Sequence, residues 1–406
     1  MGQSVGVELL RPELIEALAA CTGYKCVVPL ICVDLRTTWS SARIRNPGIL
    51  VVPWDSSGQD PISLFDVRKR KYVPMPKSPL RRIGCAYAMA NGCLYVLGGF
   101  RLDTAEYLDT VEIFNLRTRT WSTGTPMPSP LSSLRAVEAG GSLYTFPVSR
   151  THLGVRVDRI QKFDIATSTW SELSITTDPD NADFFDEARV SFLSVQRVAK
   201  ISDNRVFVMF WHDVPVVGDD WWENDWENGI VEKFYAILDA KDLTYSALYE
   251  MPAVKGDYTS VIGSGSGQKV FALCLSDENF QLHTLSIDTM LWEQTDLTII
   301  LGMAKQEYLL RGSTFHFWDT GARQGLAELE GDILIFGGIP GIYSQEFDAE
   351  VEHMTTQEST LVFELNSPSF DSANILPPMP DDHGNCCTFM LDDIPQPLRK
   401  MERERK

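Results

Sequence analysis

Leu94-Tyr95-Val96-Leu97-Gly98-Gly99, then Phe114-Asn115-Leu116-Arg117-Thr118-Arg119-Thr120-Trp121, then Met127-Pro128, is the stretch that decides the fold. It joins an apolar run of strand type, a glycine pair, an apolar–polar pair with an aromatic six positions beyond the polar residue, and a Met-Pro stop. The apolar–polar–aromatic spacing recurs at Phe65-Asp66 to Tyr72, Phe163-Asp164 to Trp170, Leu238-Asp239 to Tyr245, Leu285-Ser286 to Trp292 and Phe363-Glu364 to Phe370, which makes six copies. Self-similarity at a period of about 50 residues marks propellers and arrays, whose units bury their faces only against their neighbours.

Each copy is preceded by an apolar run, at 49–52, 94–97, 143–146, 206–211, 270–275 and 333–336. Two runs end in glycine pairs, Gly98-Gly99 and Gly337-Gly338, where missing side chains let the backbone turn and approach a neighbour. Four copies are followed by Met-Pro, at Met75-Pro76, Met127-Pro128, Met251-Pro252 and Met379-Pro380, and a proline there ends a strand because it has no N–H for the ladder. A further strand-like stretch precedes the later runs, such as 84–90 or 190–199. The unit is therefore four antiparallel strands, the size of one propeller blade.

The glycine pair, the spaced aromatic and the Met-Pro ending resemble the kelch repeat, and residues 83–128 carry all three. The fourth and fifth copies keep the aromatic spacing without the glycine pair. The resemblance extends over roughly 48–392 and implies a mainly β, six-bladed propeller. Before the first motif there is room for one strand only. At the other end Gly384-Asn385-Cys386-Cys387-Thr388-Phe389-Met390-Leu391 follows the last Met-Pro as Gly84-Cys85-Ala86-Tyr87-Ala88-Met89 follows the first. The expectation is that this C-terminal strand completes blade one, closes the ring and removes its free edges.

The length of 406 residues suits one ring, since a propeller grows by adding blades. No apolar run reaches about 18 residues, so no membrane partner is expected, and residues 1–10 lack the basic start and apolar core of a signal peptide. The eight Cys, at 21, 26, 32, 85, 93, 274, 386 and 387, form no paired framework and read as buried thiols of a reducing compartment, cytoplasm or nucleus.

Residues 1–46 stand outside the repeat. Leu10, Leu14, Ile15 and Leu18 fall on one helical face with Pro12 in the first turn, and a second apolar run at 27–35 includes Leu30, Ile31, Val33 and Leu35. The segment resembles an F-box, through Leu10-Arg11-Pro12-Glu13-Leu14-Ile15 and Ile31-Cys32-Val33-Asp34-Leu35-Arg36, with Arg11 ahead of the proline and Leu35 where tryptophan is usual. The resemblance implies a short α-helical module. It would use Leu10, Pro12, Leu14, Ile15, Leu18, Leu30, Ile31, Val33 and Leu35 to bind the adaptor subunit of a cullin-RING ubiquitin ligase. The competing reading is a helical cap on blade one.

Charge is uneven along the chain. Residues 1–172 hold 20 Lys and Arg against 15 Asp and Glu; of totals of 36 and 55, the remainder therefore holds 16 against 40. Three stretches concentrate the acids among aromatics: 176–188 with Phe184 and Phe185, 213–232 with Asp220, Trp221, Trp222, Glu223 and Trp226, and 340–359 with Tyr343 and Phe347. The second and third lie between the second and third strands of a blade and the first joins two blades, so all three are expected on one face of the ring. Acids steer a basic target and aromatics anchor it, so these nine residues are the candidate target-binding set. Solvated loops that only aid solubility are the other reading. Nucleic acid is disfavoured on such a face because phosphates would meet like charge. Residues 297–320, with Tyr308, Phe315, Phe317 and Trp318, are expected on the same face.

Arg68-Lys69-Arg70-Lys71 falls in a turn on the opposite face and reads as a solvated loop or, secondarily, a nuclear import signal. The charged tail 393–406 is expected to be disordered. His152, His212, His283, His316, His353 and His383 are scattered over different repeats without ligand spacing, so neither catalytic residues nor a metal or other cofactor are expected. Glu350 and His353 near Asp348 miss the four-residue spacing of the iron site in some plant kelch proteins. The order of parts implies a non-catalytic substrate receptor of an SCF-type ligase, with a kelch interaction scaffold as the alternative and a metal-dependent propeller enzyme third.

Overall fold

The computed structural model describes residues 47–53, 62–67, 69, 71–101, 103–148, 159–174, 176–177, 193–213, 231–254, 257–275, 280–297, 325–329, 332–336, 360–364, 375–376, 386–391 and 394. These residues hold strands and no helix; the helical segment expected in 1–46 lies outside them, as does the tail expected over 393–406 apart from Ile394, which is buried. The chain opens with β1 (Gly48–Pro53), β2 (Ser63–Asp66) and β3 (Lys71–Pro74). The second repeat carries β4 (Ala86–Ala90), β5 (Cys93–Leu97), a ribbon of β6 (Phe100–Arg101) and β7 (Glu106–Tyr107), then β8 (Val111–Asn115) and β9 (Thr120–Thr123). The third has β10 (Leu134–Ala139), β11 (Ser142–Pro147), β12 (Arg159–Asp164) and β13 (Thr169–Ser174). Next come β14 (Thr176–Thr177), β15 (Leu193–Lys200), β16 (Arg205–Asp213), β17 (Val231–Asp239), β18 (Thr244–Tyr245) and β19 (Tyr249–Glu250). The fifth repeat is β20 (Asp257–Gly263), β21 (Lys269–Leu275), β22 (Phe280–Ser286) and β23 (Leu291–Asp296). The last strands are β24 (Gly325–Leu329), β25 (Asp332–Phe336), β26 (Thr360–Glu364), β27 (Ile375–Leu376) and β28 (Cys386–Leu391).

Among the described residues, five sheets have the regular four-stranded form of a blade: β28-β1-β2-β3, β4-β5-β8-β9, β10 to β13, β20 to β23 and β24 to β27. This differs from the six blades expected. The fourth repeat forms a six-stranded sheet, because its outer strand is split into β18 and β19, both on β17, and β14 arrives from the third repeat to pair in parallel with β18. The split has a local cause at Ser246, whose hydroxyl accepts the Ile237 N–H at 2.9 Å while its own N–H goes to the Ile237 carbonyl.

The repeating spacing originates in one hairpin turn. Phe114 and Trp121 face each other across β8 and β9 with ring centroids 4.9 Å apart. Between them Asn115 Oδ1 accepts the N–H groups of Arg117 and Thr118 at 2.9 and 3.0 Å, and Arg119 donates to the Asn115 carbonyl with φ at 58°. A short polar side chain thus holds a turn whose fifth residue sits in the left-handed region, and the aromatic two residues later lands opposite the apolar residue. Asp164 and Asp239 repeat this, with Ser168 and Leu243 left-handed and the pairs Phe163 with Trp170 and Leu238 with Tyr245. The aromatics also tie neighbours together: the indole N–H of Trp121 donates to the Pro76 carbonyl, and that of Trp170 to the Thr125 carbonyl, each at the end of the preceding blade.

The inner strands β4, β10, β15, β20, β24 and β28 follow one another around the ring. Apolar clusters fill the spaces between blades. Leu50, Val52, Tyr87, Leu94 and Phe114 join the first to the second, and Ala86, Leu97, Leu143 and Phe163 the second to the third. Tyr144, Phe146, Val208 and Phe210 join the third to the fourth, and Phe207, Tyr235, Tyr258 and Cys274 the fourth to the fifth. Polar links cross at the centre. β-bulges lie between Val195 and Arg197 in β15 and between Tyr258 and Ser260 in β20. The bulge carbonyls of Gln196 and Thr259 accept the Nε of Arg135 and Arg197, at 2.6 and 3.1 Å, each from the preceding inner strand. The ring closes where β28 pairs with β1 from Gly48 opposite Leu391 to Pro53 opposite Cys386, and where the Thr388 hydroxyl donates to the Leu326 carbonyl.

His283 lies in the core between the fourth and fifth repeats, 1% exposed, edge-on to Tyr258 at 5.6 Å and near Trp292 at 6.4 Å. Its Nε2 is 3.3 Å from Gln281 Oε1 and its Nδ1 has no hydrogen-bond partner among the described residues. Burial holds its pKa below the ordinary imidazole value, and burial also raises the neighbouring Cys274 thiol to about 11. A folded-state pKa below the unfolded one means that unfolding takes up a proton, so this contribution is intact above about pH 6.5 and is lost as pH falls through the folded value. The denaturant midpoint is expected to drop between pH 7 and 5.5, and His283→Phe to flatten most of that slope. An equal slope in the variant would show that other groups carry it.

Candidate functional site

The ring has two faces, and the inner strands all begin on the same one. In the second repeat this face is built over Gly98-Gly99, at φ 60° and 109°. A Cβ on Gly98 would lie 2.5 Å from the Leu131 carbonyl oxygen, and one on Gly99 would lie 3.0 Å from that of Ile83. Free of side chains, the backbone bonds both ways: Gly99 N–H to Leu131, Leu108 N–H to Gly99, Leu131 N–H to Leu108, and Phe100 with Ile83 in a reciprocal pair. Ile83 and Leu131 lead into β4 and β10, so the β6–β7 ribbon is locked to the connections on either side of its blade.

Beneath it runs a buried ion pair. Arg82 Nη2 is 2.6 Å from Glu112 Oε2, with side chains 2% and 9% exposed. Arg82 Nη1 donates to the Gly98 carbonyl and to the Thr110 hydroxyl, and Ser78 Oγ donates to the same Glu112 oxygen. On the ribbon Arg101 is taken up by Asp103, through Nε to Oδ1 at 2.8 Å and Nη2 to Oδ2 at 2.9 Å, which holds the Asp103 carboxyl below its usual range. Tyr107 packs edge-on against Phe100 at 5.1 Å yet stays 48% exposed, and the preceding Glu106 is exposed opposite Arg101.

The same face carries the ends of the long β16–β17 hairpin, from which residues 214–230 depart. His212 and Glu232 are cross-strand partners 3.2 Å apart, and the next pair inward is Trp211 with Lys233. Lys233 Nζ lies 5.9 Å from the Trp211 ring centre and 2.9 Å from Asp257 Oδ1, which fixes the hairpin to the first residue of β20. Tyr249, 36% exposed, stacks on Tyr235 at the rim.

The residues read as adaptor-binding, all between 10 and 35, and those read as target-binding, Phe184, Phe185, Asp220, Trp221, Trp222, Glu223, Trp226, Tyr343 and Phe347, lie outside the described residues. The face itself is described through the ribbon and the hairpin base. Sequence reading passed over Tyr107, because a single tyrosine in a short connection carries no pattern, and gave no binding role to Trp211 and Lys233, which continue a strand, or to His212, which it weighed only as a metal ligand. Among the described residues no three His, Cys, Asp or Glu side chains gather as a metal site would require.

The chain is thus a mainly β propeller whose second blade carries a kelch motif: the Kelch motif family model matches residues 81–128, which hold β4 to β9, the glycine pair and the closing Met-Pro. A protein of Arabidopsis thaliana described as a putative F-box/kelch-repeat protein is 30% identical over 69 residues, 17% of this chain and 17% of that protein's own length.

Proposed function

We propose that this chain is the substrate-recognition subunit of an SCF-type cullin-RING ubiquitin ligase, working in the cytoplasm or nucleus, with its N-terminal segment on the adaptor subunit and a target protein on the loop face. The observation that carries this reading is an F-box-like segment running directly into a propeller with a kelch motif, the order of parts in the name of the Arabidopsis relative. We count the mixed sheet of the fourth repeat as a modified blade, giving the ring six. The chain performs no transfer chemistry in this reading; other subunits carry ubiquitin, and the propeller raises the effective concentration of the target.

The point of attachment suits two simultaneous partners. The Pro47 carbonyl accepts the Val67 N–H beside the β2–β3 turn, and Gly48 pairs with Leu391 at the end of β28, so Pro47, to which the N-terminal segment is joined, lies on the face opposite the ribbon. Adaptor and target then approach from opposite sides. The test is a pull-down of purified adaptor by the full chain and by a chain lacking residues 1–46. Capture by the first and not the second is the expected result. Capture by neither would leave a kelch scaffold whose N-terminal segment is a cap.

A further inference from the structure

We infer that the β6–β7 ribbon is a preformed subsite of the loop face, with Tyr107 receiving a lysine or arginine side chain from an extended basic segment of a partner protein. This rests on the loop face being the target-binding face. Three observations point to it. The ribbon is ordered before any partner arrives, bonded through Gly99, Phe100 and Leu108 to the connections on both sides. Tyr107 keeps one side of its ring for Phe100 and is 48% exposed, so a fixed aromatic surface is offered with little ordering entropy left to lose. The local charge is also sorted. Arg101, the one base from 100 to 109, is engaged by Asp103 and faces Glu106, its cross-strand partner, so the stretch sets three acids, Asp103, Glu106 and Asp109, against one base.

A cation over an exposed aromatic ring gains from the ring quadrupole, and the excess of acids along the ribbon favours its approach. An anionic segment would meet Glu106 and the excess of acids in a chain of net charge −19. The acid-and-aromatic composition of 176–188, 213–232 and 340–359 is thus repeated in miniature on the ribbon.

The probe is a labelled twelve-residue peptide of alternating lysine and leucine, titrated into the full chain by fluorescence anisotropy at physiological salt, with a glutamate–leucine peptide as control. Tyr107→Leu is expected to weaken lysine-peptide binding by roughly three- to tenfold, while Tyr107→Phe, which keeps the ring, stays within about twofold. The melting temperature should not move, because the residue is half exposed. Equal binding by parent and Tyr107→Leu, no binding by the lysine peptide, or binding of the glutamate peptide would each overturn the assignment. Adaptor capture is measured on the same variants: its loss from the parent with Tyr107-dependent peptide binding intact would sink the ligase reading alone.

Discussion

A chain ending at Asp382 should not form the ring. Removing β28 deletes the inner strand of the first blade and leaves β1 as a bare edge. The strand alternates between two interfaces: Cys387, Phe389 and Leu391 pack with Leu50, Val52 and Leu64 toward the second blade, and Met390 packs with Ile49, Val51, Phe65 and Ala327 toward the last. Ile394 follows, 3% exposed, over Gly48. Ile49, Leu50, Val51 and Val52 are each 0–1% exposed in the closed ring and would be uncovered together. At about 1.5–3 kcal/mol for each such side chain, the loss is comparable with the whole stability of about 5–15 kcal/mol typical of a folded protein. Far-ultraviolet circular dichroism with a thermal scan should show no cooperative transition in the truncated chain. Closure is separated from simple loss of residues by a permuted chain in which 384–394 precede Pro47 through a short linker. Leu391 already lies opposite Gly48, so the linker replaces a hairpin turn of the kind that joins β4 to β5. The permuted chain is expected to regain a cooperative melt; failure of both would show that β28 does more than close the sheet.

How much of this was legible beforehand depends on the range of the interaction. The spacing from Asn115 to Trp121 is local, fixed by one side chain capping one turn, so every ring neighbour it creates could be read from a pattern of eight residues. The glycine pair was legible for the same reason: its two backbone oxygen neighbours leave no room for a Cβ. The pairing of β28 with β1 spans the chain but repeats the Gly84 pattern, so an internal comparison sufficed. The mixed sheet of the fourth repeat was not legible. The parallel pairing of Thr176–Thr177 with Thr244–Tyr245 joins residues distant in sequence and carries no periodicity. The arginine links across the inner strands were hidden likewise, because they depend on bulges that turn the Gln196 and Thr259 carbonyls toward Arg135 and Arg197. The loop face was found from charge and aromatic composition, yet its best described element, Tyr107 on a locked ribbon, became visible only with the Gly99, Leu108 and Leu131 bonds in place.

Glu112→Ala is expected to destabilise the propeller by about 3–5 kcal/mol, the range for stranding one partner of a buried ion pair. Arg82 is poorly placed to take its charge elsewhere: its side chain is 2% exposed, its Nη1 already serves Gly98 and Thr110, and among the described residues its Nη2 faces the Glu112 carboxylate at 2.6 Å. Arg82→Met should be nearly as harmful, since it leaves the carboxylate buried with Ser78 as its remaining donor. The double variant Arg82→Met with Glu112→Leu removes both charges and keeps the volume, so it should recover much of either single loss. Denaturant titration of the four proteins closes the cycle, and simple additivity would show that the two groups do not act as a pair. Position adds a second readout. Arg82 holds the Gly98 carbonyl, and Gly98 is the pivot on which the ribbon turns toward Leu131. The double variant therefore keeps the fold but frees that carbonyl. Amide exchange at Gly99, Phe100 and Leu108 is expected to quicken in it while exchange in β11 and β16 stays slow, which would make the ion pair the support of the ribbon as well as a core contact.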